Sequence, residues 1–220
     1  MPKRKKKHYD WLLTAIGDSL TVGVGAPILG KGYVGRYVNF TEGLFNKQIL
    51  VNNFALTGLT SEEILYSIRD KTVIRSIQKS KIILLTAGGN DLIQAGVKYF
   101  LTFEENPLYE ALERCKKNIK KMVKYIIKIK RKAKEPFIIR ICTLYNPYPN
   151  VKKAVKWVTL FNKYIKCLEK FPCVKVADLY EAFIGRERKL VSFDTVHPNK
   201  NGYQVIAVVL YELGFSEFEK

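Results

Sequence analysis

An α/β fold, with a parallel five-stranded sheet and helices on both faces, is what the sequence predicts. Three observations point there: five short apolar runs recur along the 220 residues, helical patterns separate them, and small and polar residues follow the runs. Nearly unbroken apolar runs suit strands covered on both faces. Strands alternating with helices pair in parallel, because a parallel neighbour needs a crossover to bring the chain back.

The first strand is WLLTAI (11–16), which stops at Gly17-Asp18-Ser19. The second, ILVNNFAL (49–56), ends its ladder near Asn53, with Gly58 just beyond. The third, KIILLTA (81–87), runs into Gly88-Gly89-Asn90-Asp91. A helix follows over 108–132, where Leu108, Leu112, Cys115, Ile119, Met122 and Ile126 share one face and six lysines largely fill the rest. The fourth strand is PFIIRICTL (136–144), and the helix after it spans 152–170 on Val155, Val158, Leu160, Phe161, Ile165 and Leu168. CVKVADL (173–179) is the fifth strand, and a helix over 200–213 closes the chain behind Asp194-Thr195-Val196-His197-Pro198-Asn199.

A chain of this length suits one domain with a real core, expected over 11–220 behind a flexible basic tail at 1–10. Cys115, Cys142, Cys167 and Cys173 lie far apart with no Cys-x-x-Cys, which fits reduced thiols better than disulfides or zinc. The run after the basic N-terminus is too short for a signal peptide, and no stretch is long enough to span a bilayer, so a cytoplasmic protein is expected. The net charge of +18 predicts attraction to anionic partners. Lys3, Arg4, Lys5, Lys6 and Lys7 would make peripheral contact with an anionic membrane, and no specific nucleic acid is expected. A solvated, merely solubilising surface explains the same charge.

Open parallel sheets bind ligands beyond the carboxyl ends of their strands. Two phosphate-loop patterns near that edge fail. Gly30-Lys31-Gly32-Tyr33-Val34-Gly35 matches G-x-G-x-x-G but follows no strand and lacks the later acid; Gly25 to Gly32 has glycine where a P-loop needs Ser or Thr. A glycine loop leading into a helix accounts for both.

Only two histidines exist, and His8 lies in the basic tail, so His197 is the one plausible general base. It could instead cap the last helix, with Pro198 in the first turn. Asp194, three residues earlier, allows one tight turn to bring a carboxylate to Nδ1 and fix the tautomer. A lone core histidine without paired cysteines argues against zinc, and no cofactor is implied. Ser19, held at a strand end on a glycine hinge, becomes a nucleophile once a base takes its proton. The helix beginning there would offer N–H groups and a positive dipole to an oxyanion; Asn90 adds an amide donor and Gly58 an unobstructed N–H. Asp18 and Asp91 read as turn and cap acids. Trp11 and Trp157 read as core or cover aromatics, and Tyr145 and Tyr148 sit on a loop that could line an acyl pocket.

These blocks together resemble the SGNH, or GDSL, hydrolases. Gly17-Asp18-Ser19-Leu20 matches the first block of that family, Gly58 its second, Gly88-Gly89-Asn90-Asp91 its G-x-N-D block, and Asp194 to His197 its D-x-x-H block. The resemblance implies a flavodoxin-like, three-layer αβα fold and a metal-free Ser-His-Asp ester hydrolase. It also implies roles: Ser19 as nucleophile, His197 as base, Asp194 as its partner, and Ser19, Gly58 and Asn90 as the oxyanion hole. LYNPYP (144–149), with GGNDL and HPN, is similar to small bacterial lipase/acylhydrolase members of the family, some of which act in spore germination. The expected substrates are lipid or short-to-medium acyl esters. O-deacetylation of a carbohydrate or cell-wall polymer is the alternative activity. A basic binding module for nucleic acid or an anionic surface, its triad-like residues serving as caps, is the alternative of another class.

Overall fold

The five apolar runs become β1 (Trp11–Ile16), β2 (Ile49–Asn53), β3 (Ile82–Leu85), β4 (Ile138–Cys142) and β5 (Val174–Ala177). This is seen in a computed structural model that describes residues 8–27, 32–131 and 135–218. The basic run Lys3 to Lys7 lies outside the described residues. All five strands pair in parallel in the order β2-β1-β3-β4-β5.

Between and after the strands come α1 (Ser19–Val22), α2 (Tyr33–Phe45), α3 (Ser61–Ser67), α4 (Lys71–Lys79), α5 (Gly89–Thr102), α6 (Asn106–Lys130), α7 (Lys152–Lys166), α8 (Leu179–Phe183), α9 (Glu187–Leu190) and α10 (Lys200–Glu212). Successive strand side chains point to opposite faces, so each strand feeds two cores. Ile16, Ile83, Leu85, Ile139 and Ile141 pack with the buried faces of α3 to α7. Leu13, Ala15, Ile82, Leu84 and Cys142 pack with α1, α2 and α8 to α10. Two apolar faces explain why β1, β3 and β4 read as unbroken runs rather than alternating ones.

The structure departs from the sequence reading in the second strand and in the helix after β4. β2 is an edge strand, with Leu50 exposed and the ladder ending at Asn53, so it is not covered on both faces. Phe54 and Leu56 still donate to the carbonyls of Ala15 and Gly17, which leads the chain along β1 toward the sheet's carboxyl edge. In α7, Leu160 points outward and Trp157 takes the buried face, while residues 167–170 tighten into a 3₁₀ turn. The G-x-G-x-x-G glycines lead into a helix, as the sequence reading has it: Gly32 precedes α2 and Gly35 lies inside it.

Arg140 occupies the middle of β4 and is fully buried. An unpaired charge there would cost several kcal/mol. Its guanidinium instead donates to both Glu217 carboxylate oxygens, at 3.0 and 3.1 Å, and to the Gly214 carbonyl at 2.7 Å. Burial pushes the Glu217 carboxyl up, but the Arg140 hydrogen bonds and charge hold it below the usual glutamate range. The pair ties the C-terminal turn to the centre of the sheet. No helix among the described residues is long and apolar enough to cross a membrane.

Candidate active site

Ser19 is the first residue of α1, directly beyond β1. Gly17 makes that turn possible by close approach: a Cβ on it would sit 2.2 Å from Thr86 Oγ1. The buried Asp18 carboxylate caps α1 by accepting from the Leu20 N–H, at 3.1 Å, and also accepts from Thr86 Oγ1, at 2.9 Å. Thr86 Oγ1 joins Thr21 Oγ1 and then Tyr33 Oη, each step 2.7 Å. A chain of hydroxyls thus lies under the serine. Burial pushes the Asp18 carboxyl up, against the pull of the Thr86 and Leu20 bonds. Asp18 is the turn and cap acid the sequence suggests. The helix it caps is a single turn, however, too short to carry a substantial dipole.

His197 reaches Ser19 from the far end of the chain. Its Nε2 lies 2.8 Å from Ser19 Oγ, and its Nδ1 lies 2.6 Å from Asp194 Oδ2. Asp194 Oδ1 also accepts from the N–H groups of Val196 and His197, at 3.0 and 2.9 Å. Desolvation raises the Asp194 carboxyl, but the His197 N–H, the His197 ring and the Val196 N–H outweigh it and hold the acid below its usual range. The D-x-x-H spacing therefore does what the sequence argument requires of it. His197 does not cap the last helix; Asn199 does, accepting from the N–H groups of Asn201 and Gly202, and Pro198 precedes the cap.

The loop carrying His197 is braced at both ends. Val191 and Pro198 form an antiparallel bridge, and Ser192 donates to the His197 carbonyl at 2.7 Å. Tyr145 Oη donates to the Val196 carbonyl at 2.5 Å, while its ring stacks on Phe183 at 4.4 Å. The sequence reading put Tyr145 on a pocket-lining loop and missed this role; a lone tyrosine after a strand carries no signal for it. Thr86 was equally invisible, being one more small residue in LLTAGGND.

Three donors converge on the same edge. The Ser19 N–H has no acceptor among the described residues, and neither does the Gly58 N–H. Gly58 is exposed with φ +85, a left-handed backbone that a side chain would strain. Asn90, in the first turn of α5, donates one amide hydrogen to the Leu59 carbonyl at 2.9 Å and keeps the other. Gly58 and Asn90 are therefore linked to each other through Leu59. Asp91 fixes the turn from below: its buried carboxylate accepts from the Ser61 N–H and Oγ at 2.7 and 2.9 Å, and Arg114 lies 3.7 Å away. It thus holds the first residue of the neighbouring helix α3, whose N-cap is Thr60, rather than capping its own helix. A groove of about 1000 Å³ runs along α6 past Lys116, Lys120 and Lys124, but none of the site residues lines it. The Ser19 cluster occupies the carboxyl edge of the strands instead, where open α/β sheets bind ligands.

A serine, an imidazole and a carboxylate in one hydrogen-bonded line at the carboxyl edge of a parallel α/β sheet define the hydrolase class of protein. Residues 15–205 match the model of the GDSL-like lipase/acylhydrolase family, and the chain belongs to that family. It is thereby a carboxylic ester hydrolase of the GDSL type. It is 37% identical over 206 residues to the spore germination lipase LipC of Bacillus licheniformis, covering 94% of this chain and 97% of that protein. The crystal structure of the lipase Lip_vut3, from a goat rumen metagenome, is 37% identical, with a TM-score of 0.90 over 93% of this chain and 98% of that one. Axe2, an acetylxylan esterase from Geobacillus stearothermophilus, is 21% identical with a TM-score of 0.71 over 95% and 96%, a likeness of fold alone.

Proposed function

We propose that this chain hydrolyses lipid or short-to-medium acyl esters through a Ser19–His197–Asp194 triad. The observation that carries the reading is the unbroken line from Asp194 Oδ2 through His197 to Ser19 Oγ, with steps of 2.6 and 2.8 Å. In the proposed reaction His197 Nε2 takes the Ser19 proton as Oγ attacks the ester carbonyl. The tetrahedral oxyanion is met by the Ser19 N–H, the Gly58 N–H and the free Asn90 amide hydrogen. His197 returns the proton to the leaving alkoxide, and the acyl group stays on Ser19. Water, deprotonated by His197, then attacks the acyl-enzyme and releases the acid. Asp194 holds the imidazole in the tautomer that presents Nε2 as acceptor.

No cofactor or metal enters this scheme. Residues 11–220 are taken as one hydrolase domain. The relative's name, a spore germination lipase, supports a role in the spore and a lipid ester as substrate. The fold likeness to an acetylxylan esterase keeps O-deacetylation of a carbohydrate as the second reading. A binding module alone would leave the aligned triad and three free donors without use.

A chromogenic ester series of increasing acyl length, run beside Ser19→Ala, tests the proposal. Turnover in the wild type with loss in the variant supports it, and undiminished turnover in Ser19→Ala overturns it. A profile confined to acetyl esters, with acetylated sugars preferred, selects the deacetylase.

A further inference from the structure

An amphipathic helix buries its apolar stripe and turns polar residues to water. α5 does not. Leu92, Ala95 and Tyr99 face the core, as they should. Ile93, Val97, Phe100 and Leu101, spaced i, i+4, i+7 and i+8, form a second apolar face on the solvent side, with Phe100 77% and Leu101 74% exposed. Phe103 extends that face, also 77% exposed, and it holds a left-handed backbone at φ +59. That position favours glycine or asparagine, so a bare phenylalanine there is costly twice over.

The face lies on the helix that begins at the active site. α5 starts at Gly89, one residue before Asn90, and Phe103 stands 13 residues beyond Asn90, roughly 20 Å along at the helical rise. Two other exposed apolar side chains stand next to site residues in the chain: Leu56, two residues before Gly58, and Phe193, beside Asp194. Cations stand beside α5, where Lys153 Nζ lies 5.5 Å from the Tyr99 ring centre. Lys98 is on α5 itself, and Lys152, Lys153 and Lys156 begin α7, where one acid, Glu105, pairs with the last two. The whole chain carries +18.

We propose that the exposed face of α5 is a lipid-docking surface, which seats the enzyme on an anionic phospholipid layer with Ser19 turned toward it. The inference rests on the ester-hydrolase reading of Ser19, since it says where the ester lies. An apolar ridge flanked by lysines matches a bilayer boundary: rings and aliphatic tips enter the acyl region, and ammonium groups meet anionic headgroups. A protein partner or a second copy seated on this face would bring no ester to Ser19. A lipid layer is the one occupant that brings substrate to it.

The test uses the full chain carrying Ser19→Ala, so that binding is read without turnover, and vesicles of phosphatidylglycerol and phosphatidylcholine. Val97→Gln/Phe100→Gln/Leu101→Gln removes the ridge on exposed positions. We expect this triple variant to partition onto the vesicles at least about tenfold more weakly at physiological salt. In the active background it should hydrolyse a soluble acetyl ester at the wild-type rate. Phe100→Trp alone should show a blue-shifted emission on vesicles, quenched by brominated lipid. Deleting residues 2–7 separates the charged run from the ridge, because charge-driven binding is released by salt and apolar insertion persists. Equal partition of the triple variant and its parent, or a Phe100→Trp emission unmoved by vesicles, overturns the proposal. So does a dimer that the triple variant dissolves while vesicles are ignored, which would make the face a contact between copies. If Ser19→Ala keeps esterase activity, the hydrolase reading fails instead, whatever the vesicles show.

Discussion

Replacing Asn90 by alanine separates two things that one side chain does. One amide hydrogen goes to the Leu59 carbonyl at 2.9 Å, and the other remains for a developing oxyanion. A preorganised oxyanion donor stabilises the transition state by about 3–4 kcal/mol, which is on the order of 10²–10³ in kcat. The Leu59 bond is a neutral tether of about 1 kcal/mol. Its loss should lower the melting temperature of a chain this size by roughly 2–4 °C. Kinetics and melting therefore report on different hydrogens of the same amide. Steady-state kcat and KM on a soluble chromogenic ester, beside a thermal melt, should show kcat down on the order of 10²–10³ and KM nearly unchanged. A rise in KM with kcat intact would refute the reasoning and make Asn90 a residue that positions substrate. A kcat loss below about tenfold would mean that the Ser19 and Gly58 N–H groups suffice.

Five further outcomes are expected. A serine-directed phosphonate should label the wild type once, at Ser19; Ser61 is fully buried against Asp91, so label there or on Ser192 would contradict the assignment. Asp194→Asn should keep the fold and lower kcat on the order of 10²–10³, less than the ~10⁴ of a buried triad aspartate, because Asp194 is nearly half exposed. Since Asp194 is held below the usual aspartate range, kcat/KM should show no loss from its protonation within that range; an inflection there that Asp194→Asn removes would disprove this. The Glu217 carboxyl is depressed in the folded state, so its stability is present above the unfolded glutamate value and lost as pH falls through the folded one. Melts from pH about 6 down to 3 should show that loss, and Glu217→Gln, destabilised at neutral pH by about 3–5 kcal/mol, should flatten it. Tyr145→Phe deletes the bond to Val196, worth about 1 kcal/mol, and should lower kcat by less than tenfold with KM unchanged.

How much was legible in the sequence follows from what each residue answers to. β1, β3 and β4 are covered on both faces, so their apolar runs are dense enough to read without alignment. The site is legible because its parts are local: Gly17-Asp18-Ser19 and Asp194 to His197 are each one turn, and one turn fixes their geometry. What stays hidden is set by distant partners. Thr86 matters because Asp18, 68 residues earlier, needs a donor, and Tyr145 because Val196, 51 residues later, needs a carbonyl held. Arg140 looks like a flaw in an apolar strand until Glu217 is placed beside it.

α5 is illegible for another reason. Periodicity finds a helix by contrast between a wet face and a dry one. GNDLIQAGVKYFLT has little contrast, because Ile93, Val97, Phe100 and Leu101 fill the side that water should claim. Such a segment reads as fully buried, yet the folded chain leaves this side open. The two facts agree if the missing cover is not protein. A helix that must meet its own core on one side and a lipid layer on the other would carry this pattern, and it would carry it next to the serine. The same loss of contrast that conceals α5 from a periodicity reading is therefore the sequence-level mark of the docking face, and the vesicle experiment with the Val97, Phe100 and Leu101 variant is at once a test of both.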